Sequence, residues 1–90
     1  MNNFIKYSPI FISYDTAQQI PTNCNSITFI NLGTSIAFLE NVTLQPNQSF
    51  SIDGNTHEYT ESLISLRFST GVGLQNNLIV VKKVFNYGGN

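Results

Sequence analysis

From Phe4 to Phe85 the chain is a succession of short runs of Ile, Val, Phe, Tyr and Thr, broken by Gly, Pro or Asn, and no stretch sustains a helical period. The best helical candidate, Asp15 to Ile20, stops at Pro21 after about one turn, because proline cannot continue a helix. Strands about 8 to 12 residues apart, with no connection long enough for a crossover helix, leave an antiparallel arrangement. The expected fold is all-β: a small antiparallel β-sandwich, jelly-roll-like or Ig-like, of about seven strands. Ninety residues make one domain, 1–90, in which residues 1–14 form an edge strand or arm.

The individual segments follow from alternation. Phe4 to Tyr14 carries Pro9 at its middle, which demotes it to an edge strand or two short pieces. Residues 15–25 read as a loop. Ser26 to Leu32 alternates, with Ile27 and Phe29 on a buried face, and Ile36 and Phe38 alternate after the Asn31-Leu32-Gly33-Thr34 turn. Val42 and Leu44 follow, then Pro46-Asn47 at the centre of a type I turn. Phe50 and Ile52 form a strand closed by Asp53-Gly54. Ser62 to Phe68 puts Ile64, Leu66 and Phe68 on one face, and residues 69–76 form a Gly-containing loop. Leu78 to Phe85 is the last strand, and Lys82-Lys83 near its end would discourage edge pairing if it lies at a sheet margin.

Polarity is carried mainly by uncharged groups. Charged residues are 10 % of the chain against about 25 % in ordinary domains, while Asn, Ser, Thr and Gln make up 34 of the 90. Amides and hydroxyls can sit on strand faces and pair across subunits without the desolvation cost of buried charge. Four basic residues, Lys6, Arg67, Lys82 and Lys83, and a net charge of -1 give no footprint for DNA or RNA, so nucleic acid is not an expected partner. No segment approaches the roughly 20 apolar residues that span a bilayer, so no membrane is expected. The stretch MNNFIKYSPIFISYD lacks an apolar core followed by a small-residue cleavage site, so no secretory signal is expected.

Residues 42–61, VTLQPNQSFSIDGNTHEYTE, hold the only histidine, His57, and three of the five acids, Asp53, Glu58 and Glu61. An EF-hand loop needs its glycine at the sixth position, whereas here glycine follows Asp53 at once. A zinc site needs three or four convergent ligands, and the single His and Cys lie far apart in sequence. The segment therefore reads as a solvated turn, with no metal and no cofactor. Cys24, the single cysteine, reads as a small apolar filler, because only His57 could activate it as a nucleophile. No Gly-x-Ser-x-Gly elbow surrounds any serine, and Gly71-Val72-Gly73 precedes a strand, not a helix that could complete a phosphate site. Catalytic, cofactor and metal residues are all read as none, and the chain is not expected to be an enzyme. Tyr7, Tyr14, Tyr59 and Tyr87 could stack on sugar rings, but serve more readily as core or subunit contacts.

The segments Asn31-Leu32-Gly33-Thr34-Ser35 and Glu40 to Phe50, then Gly54-Asn55, Glu58-Tyr59 and Val80-Val81-Lys82-Lys83, together resemble small β-sandwich structural proteins of tailed bacteriophages. The likeness covers roughly residues 26–85 and rests on turn motifs of moderate specificity. Cupins share the Leu-x-Pro-x-x-Ser turn, but that family's site resembles a cluster of several histidines, and this chain has one. The resemblance carries over no functional residue. It implies a non-enzymatic virion protein of the head, neck or tail, made in the host cytoplasm, whose partners are copies of itself and other virion proteins. The alternative is a carbohydrate-binding or adhesive module for host recognition.

Overall fold

The computed structural model describes residues 6–55 and 58–86. Among them lie eight strands: β1 (Lys6–Tyr14), β2 (Gln18–Pro21), β3 (Ser26–Asn31), β4 (Ala37–Leu39), β5 (Val42–Leu44), β6 (Ser49–Asp53), β7 (Leu63–Phe68) and β8 (Leu78–Asn86). They form two four-stranded sheets, ordered β1-β8-β3-β6 and β2-β7-β4-β5, with every pairing antiparallel. Within this order the first strand pairs with the last, the second with the seventh, the third with the sixth and the fourth with the fifth. The chain is thus one long hairpin, with its tip at the turn between Leu39 and Val42, rolled so that successive rungs fall in opposite sheets.

The core sits between the sheets. Ile27, Phe29, Leu78 and Val80 come from one, and Ile20, Ala37, Leu39, Leu44 and Leu66 from the other, all buried together with Cys24. Alternation puts these residues inward and their neighbours outward, as expected for β3 and β7. At β4 the parity is the reverse of that expected: Ala37 and Leu39 are buried, while Phe38 points out beneath the Arg67 guanidinium, 5.1 Å from the ring centroid. A three-residue strand is too short for sequence alternation to fix its phase.

Three further expectations are corrected. The eighth strand is β2, inside the segment read as a loop; only Ile20 of its four residues is buried, so it has no alternating pattern to betray it. Pro46-Asn47 forms a type II turn, since Asn47 has φ 69° and the turn closes by Gln48 N–H donating to the Gln45 carbonyl at 3.0 Å. And β8 lies inside its sheet between β1 and β3, so Lys82 and Lys83 guard no edge.

The ladder phase decides which backbone groups remain free. Asn31 N–H donates to the Gln48 carbonyl and Leu32 N–H to the Asn77 carbonyl, so odd residues of β3 face β6 and even ones face β8. Carried across the registers, this leaves Tyr7, Pro9, Phe11 and Ser13 of β1 facing the free edge. Pro9, which lacks an N–H, therefore removes no ladder bond, and β1 is the continuous edge strand that its proline permits. Thr22 N–H donating to the Ser62 carbonyl sets β2 likewise, with Pro21 on the outer side.

Candidate interaction surface

The solvent face of the β1-β8-β3-β6 sheet is unusually apolar. Across β1 and β8 the outward pairs are Tyr7 with Phe85, Pro9 with Lys83, Phe11 with Val81 and Ser13 with Ile79. Ile30 of β3 continues the stripe beside Ile79. Phe11 is 69 % exposed and Tyr7 52 %. Tyr7 meets Phe85 edge-on, with ring centroids 6.2 Å apart, and the Lys83 ammonium lies 4.8 Å from the Tyr7 centroid. This single cation sits at one end of the stripe, leaving Phe11 open beside half-buried Val81. A run such as Leu78-Ile79-Val80-Val81 is the pattern of a strand covered on both faces. Here one face has the core and the other has water. Contiguous exposed apolar surface of this kind marks a contact site.

Both ends of β3 are fastened by buried amides. The Asn31 Nδ2 donates to the carbonyls of Ser35 at 2.8 Å and Leu44 at 2.9 Å, while its Oδ1 accepts from Gly33 N–H at 3.1 Å. At the other end Asn25 Nδ2 donates to the Glu58 carbonyl at 2.6 Å, and Asn25 Oδ1 accepts from Phe85 N–H at 2.9 Å. Part of the amide content thus works inside the molecule. Gly54 is there for space, since a Cβ would strike the Asn25 carbonyl oxygen. Lys82 is buried with its stem between the sheets, and its ammonium donates to the Pro21 carbonyl at 2.7 Å.

The described residues also line hollows. An apolar cleft of about 240 Å³ opens between the sheets at the β5 and β6 edge, walled by Phe29, Leu39, Val42, Phe50, Ile52 and Ile64. Phe50 and Ile52 lie on the inner face, opposite Phe29 and Ile27, yet are 37 % and 40 % exposed. A wider, polar hollow of about 650 Å³ lies by Ser13, Asp15, Leu32, Gln75, Asn76 and Asn77.

Among the described residues the acidic segment does not converge. Asp53 ends β6 on the surface, and the Glu58 carboxylate accepts from Asn55 N–H at 3.0 Å, capping its own turn. His57 lies outside the described residues, and among those described no group of three His, Cys, Asp or Glu could hold a metal. Cys24 is buried, and burial pushes its thiol pKa up, only partly offset by the Lys82 charge. Of the tyrosines, Tyr14 packs against the core, Tyr7 belongs to the apolar stripe, Tyr59 is exposed in the loop after β6, and Tyr87 lies outside the described residues. The outer stripe was missed in the sequence because its phase depends on β8 being central; the uninterrupted apolar run from Leu78 to Val81 was the available signal. Comparison with protein-family models, curated proteins and solved structures finds no match to this chain.

Proposed function

We propose that the protein is a non-enzymatic virion structural protein of a tailed bacteriophage, used in many copies and joined to itself and to other virion proteins through the outer face of the β1-β8-β3-β6 sheet. The observation that carries the reading is the exposed stripe of Phe11 and Tyr7, continued by half-buried Val81, on a pair of strands whose composition demands cover. We read the nested strand order as a jelly roll and not as Ig-like, and capsid proteins are among the users of that architecture. The turn motifs that resemble phage sandwich proteins support the same reading. The test is co-sedimentation of the purified protein with particles of a phage that encodes it. Wild type is expected to co-sediment, and Tyr7→Ser/Phe11→Ser to remain in the supernatant while keeping its β-sheet circular dichroism. Wild type that does not co-sediment refutes the proposal.

The adhesive alternative draws on one observation, the polar hollow at Asp15, Gln75, Asn76 and Asn77, whose amides and carboxylate suit sugar hydroxyls. Glycan-array binding lost in Asn77→Ala, by a protein that fails to co-sediment, would establish it in place of the virion reading.

A further inference from the structure

Among the described residues the two sheets end in four edge strands, and three are blocked. On β1, Pro9 turns its N-H-less nitrogen to the edge and Lys6 adds charge. On β2, Pro21 does the same, and its carbonyl is occupied by the Lys82 ammonium. β5 is only three residues long. β6 has no proline, no lysine and five exposed residues, Ser49-Phe50-Ser51-Ile52-Asp53. By the ladder phase, Phe50 and Ile52 are bonded to β3, whereas Ser49, Ser51 and Asp53 aim their N–H and C=O groups outward.

We infer that β6 pairs with β6 of a second copy, antiparallel about a two-fold axis at Ser51, joining the two β1-β8-β3-β6 sheets into one continuous sheet. The register is self-complementary. Centred on Ser51, each outward-facing residue meets another: Ser51 meets Ser51 of the second copy, and Ser49 meets Asp53, forming reciprocal backbone hydrogen bonds. Phe50 then lies opposite Ile52 in a non-hydrogen-bonded pair, where side chains approach most closely, and the exposed apolar wall of the cleft gains cover. Charge agrees, since each Asp53 faces a serine and the two carboxylates stand roughly four residues apart along the strands, about 14 Å. A pairing of five residues buries less than the roughly 1,200 Å² of a standard interface, so the dimer is weak and concentration-dependent. The pairing does not rest on the virion reading and uses a different surface from the outer stripe.

Sedimentation velocity on the full chain from about 10 µM to 1 mM tests this. Wild type is expected to shift from monomer to dimer, and Tyr7→Ser/Phe11→Ser to shift with it. Ser51→Pro removes an N–H that by the ladder phase points to the free edge and has no partner among the described residues, so it is expected to weaken the dimer by about tenfold or more with unchanged circular dichroism. Should Ser51→Pro not fold, cysteine pairing decides. At the two-fold the Ser51 Cα atoms stand about 5.5 Å apart, inside disulfide range, while two Ser49 residues stand roughly 14 Å apart. Under mild oxidation Ser51→Cys is expected to cross-link at least about tenfold faster than Ser49→Cys, with buried Cys24 silent. A protein monomeric to about 1 mM, a Ser51→Pro dimer as tight as wild type, or equal cross-linking at positions 49 and 51 would overturn the inference.

Discussion

Asn31 is fully buried, and its replacement by leucine isolates the energetic role of an amide inside this core. Leucine keeps the branched heavy-atom skeleton of asparagine but is bulkier, so no cavity opens, and the lost hydrogen bonds set a lower bound to which crowding adds. Three backbone groups lose a partner, but unequally. Gly33 N–H still donates to the Asn77 carbonyl at 3.1 Å, and the Leu44 carbonyl keeps its place in the β4·β5 ladder opposite Ala37. The Ser35 carbonyl has Asn31 Nδ2 as its bonded partner at 2.8 Å and becomes a buried, unsatisfied acceptor, at a cost of about 1–3 kcal/mol. The other two lost bonds leave groups that keep a partner, so each adds only about 0.5 kcal/mol, the low end of the usual range. The sum is about 3 kcal/mol, a large part of the roughly 5–13 kcal/mol expected for a domain of this length. Urea denaturation followed by circular dichroism measures it. With a slope of about 1–1.5 kcal/mol/M, the midpoint of Asn31→Leu should fall by about 2–3 M with the slope unchanged. A fall below about 0.5 M would show that neighbouring groups or water replace the amide, and would refute the role assigned to Asn31.

Other substitutions probe the backbone, the buried lysine and the thiol. Because Asn47 holds φ 69° in its type II turn, Asn47→Gly should leave stability within about 0.5 kcal/mol, whereas Asn47→Val, β-branched in a left-handed conformation, should cost about 1–2 kcal/mol in the same assay. Lys82→Met keeps the buried stem and removes the ammonium, so the melting temperature should change little, while Lys82→Ala, which also loses the stem packing, should lower stability by about 2 kcal/mol. Burial raises the Cys24 thiol pKa, so the folded state holds that proton more tightly; this contribution is intact below the thiol's ordinary value of 9.0 and is lost as pH rises through the folded value. Urea midpoints at pH 8 and 10 should therefore fall more for wild type than for Cys24→Val, with a residual fall from Tyr14, whose pKa is also raised by burial.

Much of the architecture was legible where alternation ran for five or six residues. Ile27 and Phe29 in β3, and Ile64, Leu66 and Phe68 in β7, declare their faces without help. Shorter elements were not readable, because Ala37–Leu39 is too brief to set a phase and Gln18–Pro21 buries a single residue. Asn31 reads in sequence as a turn residue, the usual place for an amide; its burial depends on the 31–35 turn folding back over the end of β5, a long-range circumstance. The Pro46-Asn47 pair announced a turn but not its type, since asparagine accepts either sign of φ. The outer stripe and the free β6 edge depend on strand order, which local pattern does not encode.

The nested pairing also orders events in time. Leu39 finds Val42 almost at once, whereas Tyr14 must wait for Leu78 and Lys6 for Asn86. Pairs that close short loops form in microseconds, and those that close the longest pay the most chain entropy. The hairpin tip is therefore the natural place to begin, with rungs added outward and β1·β8 last. On the ribosome, at about 5–20 residues per second, β1 emerges several seconds before β8 can meet it, with Phe11 and Ile12 uncovered in the interval. The same ladder that fixes the finished molecule thus makes its first strand the last to find its place, and gives a chaperone or an assembling neighbour its widest opening at β1.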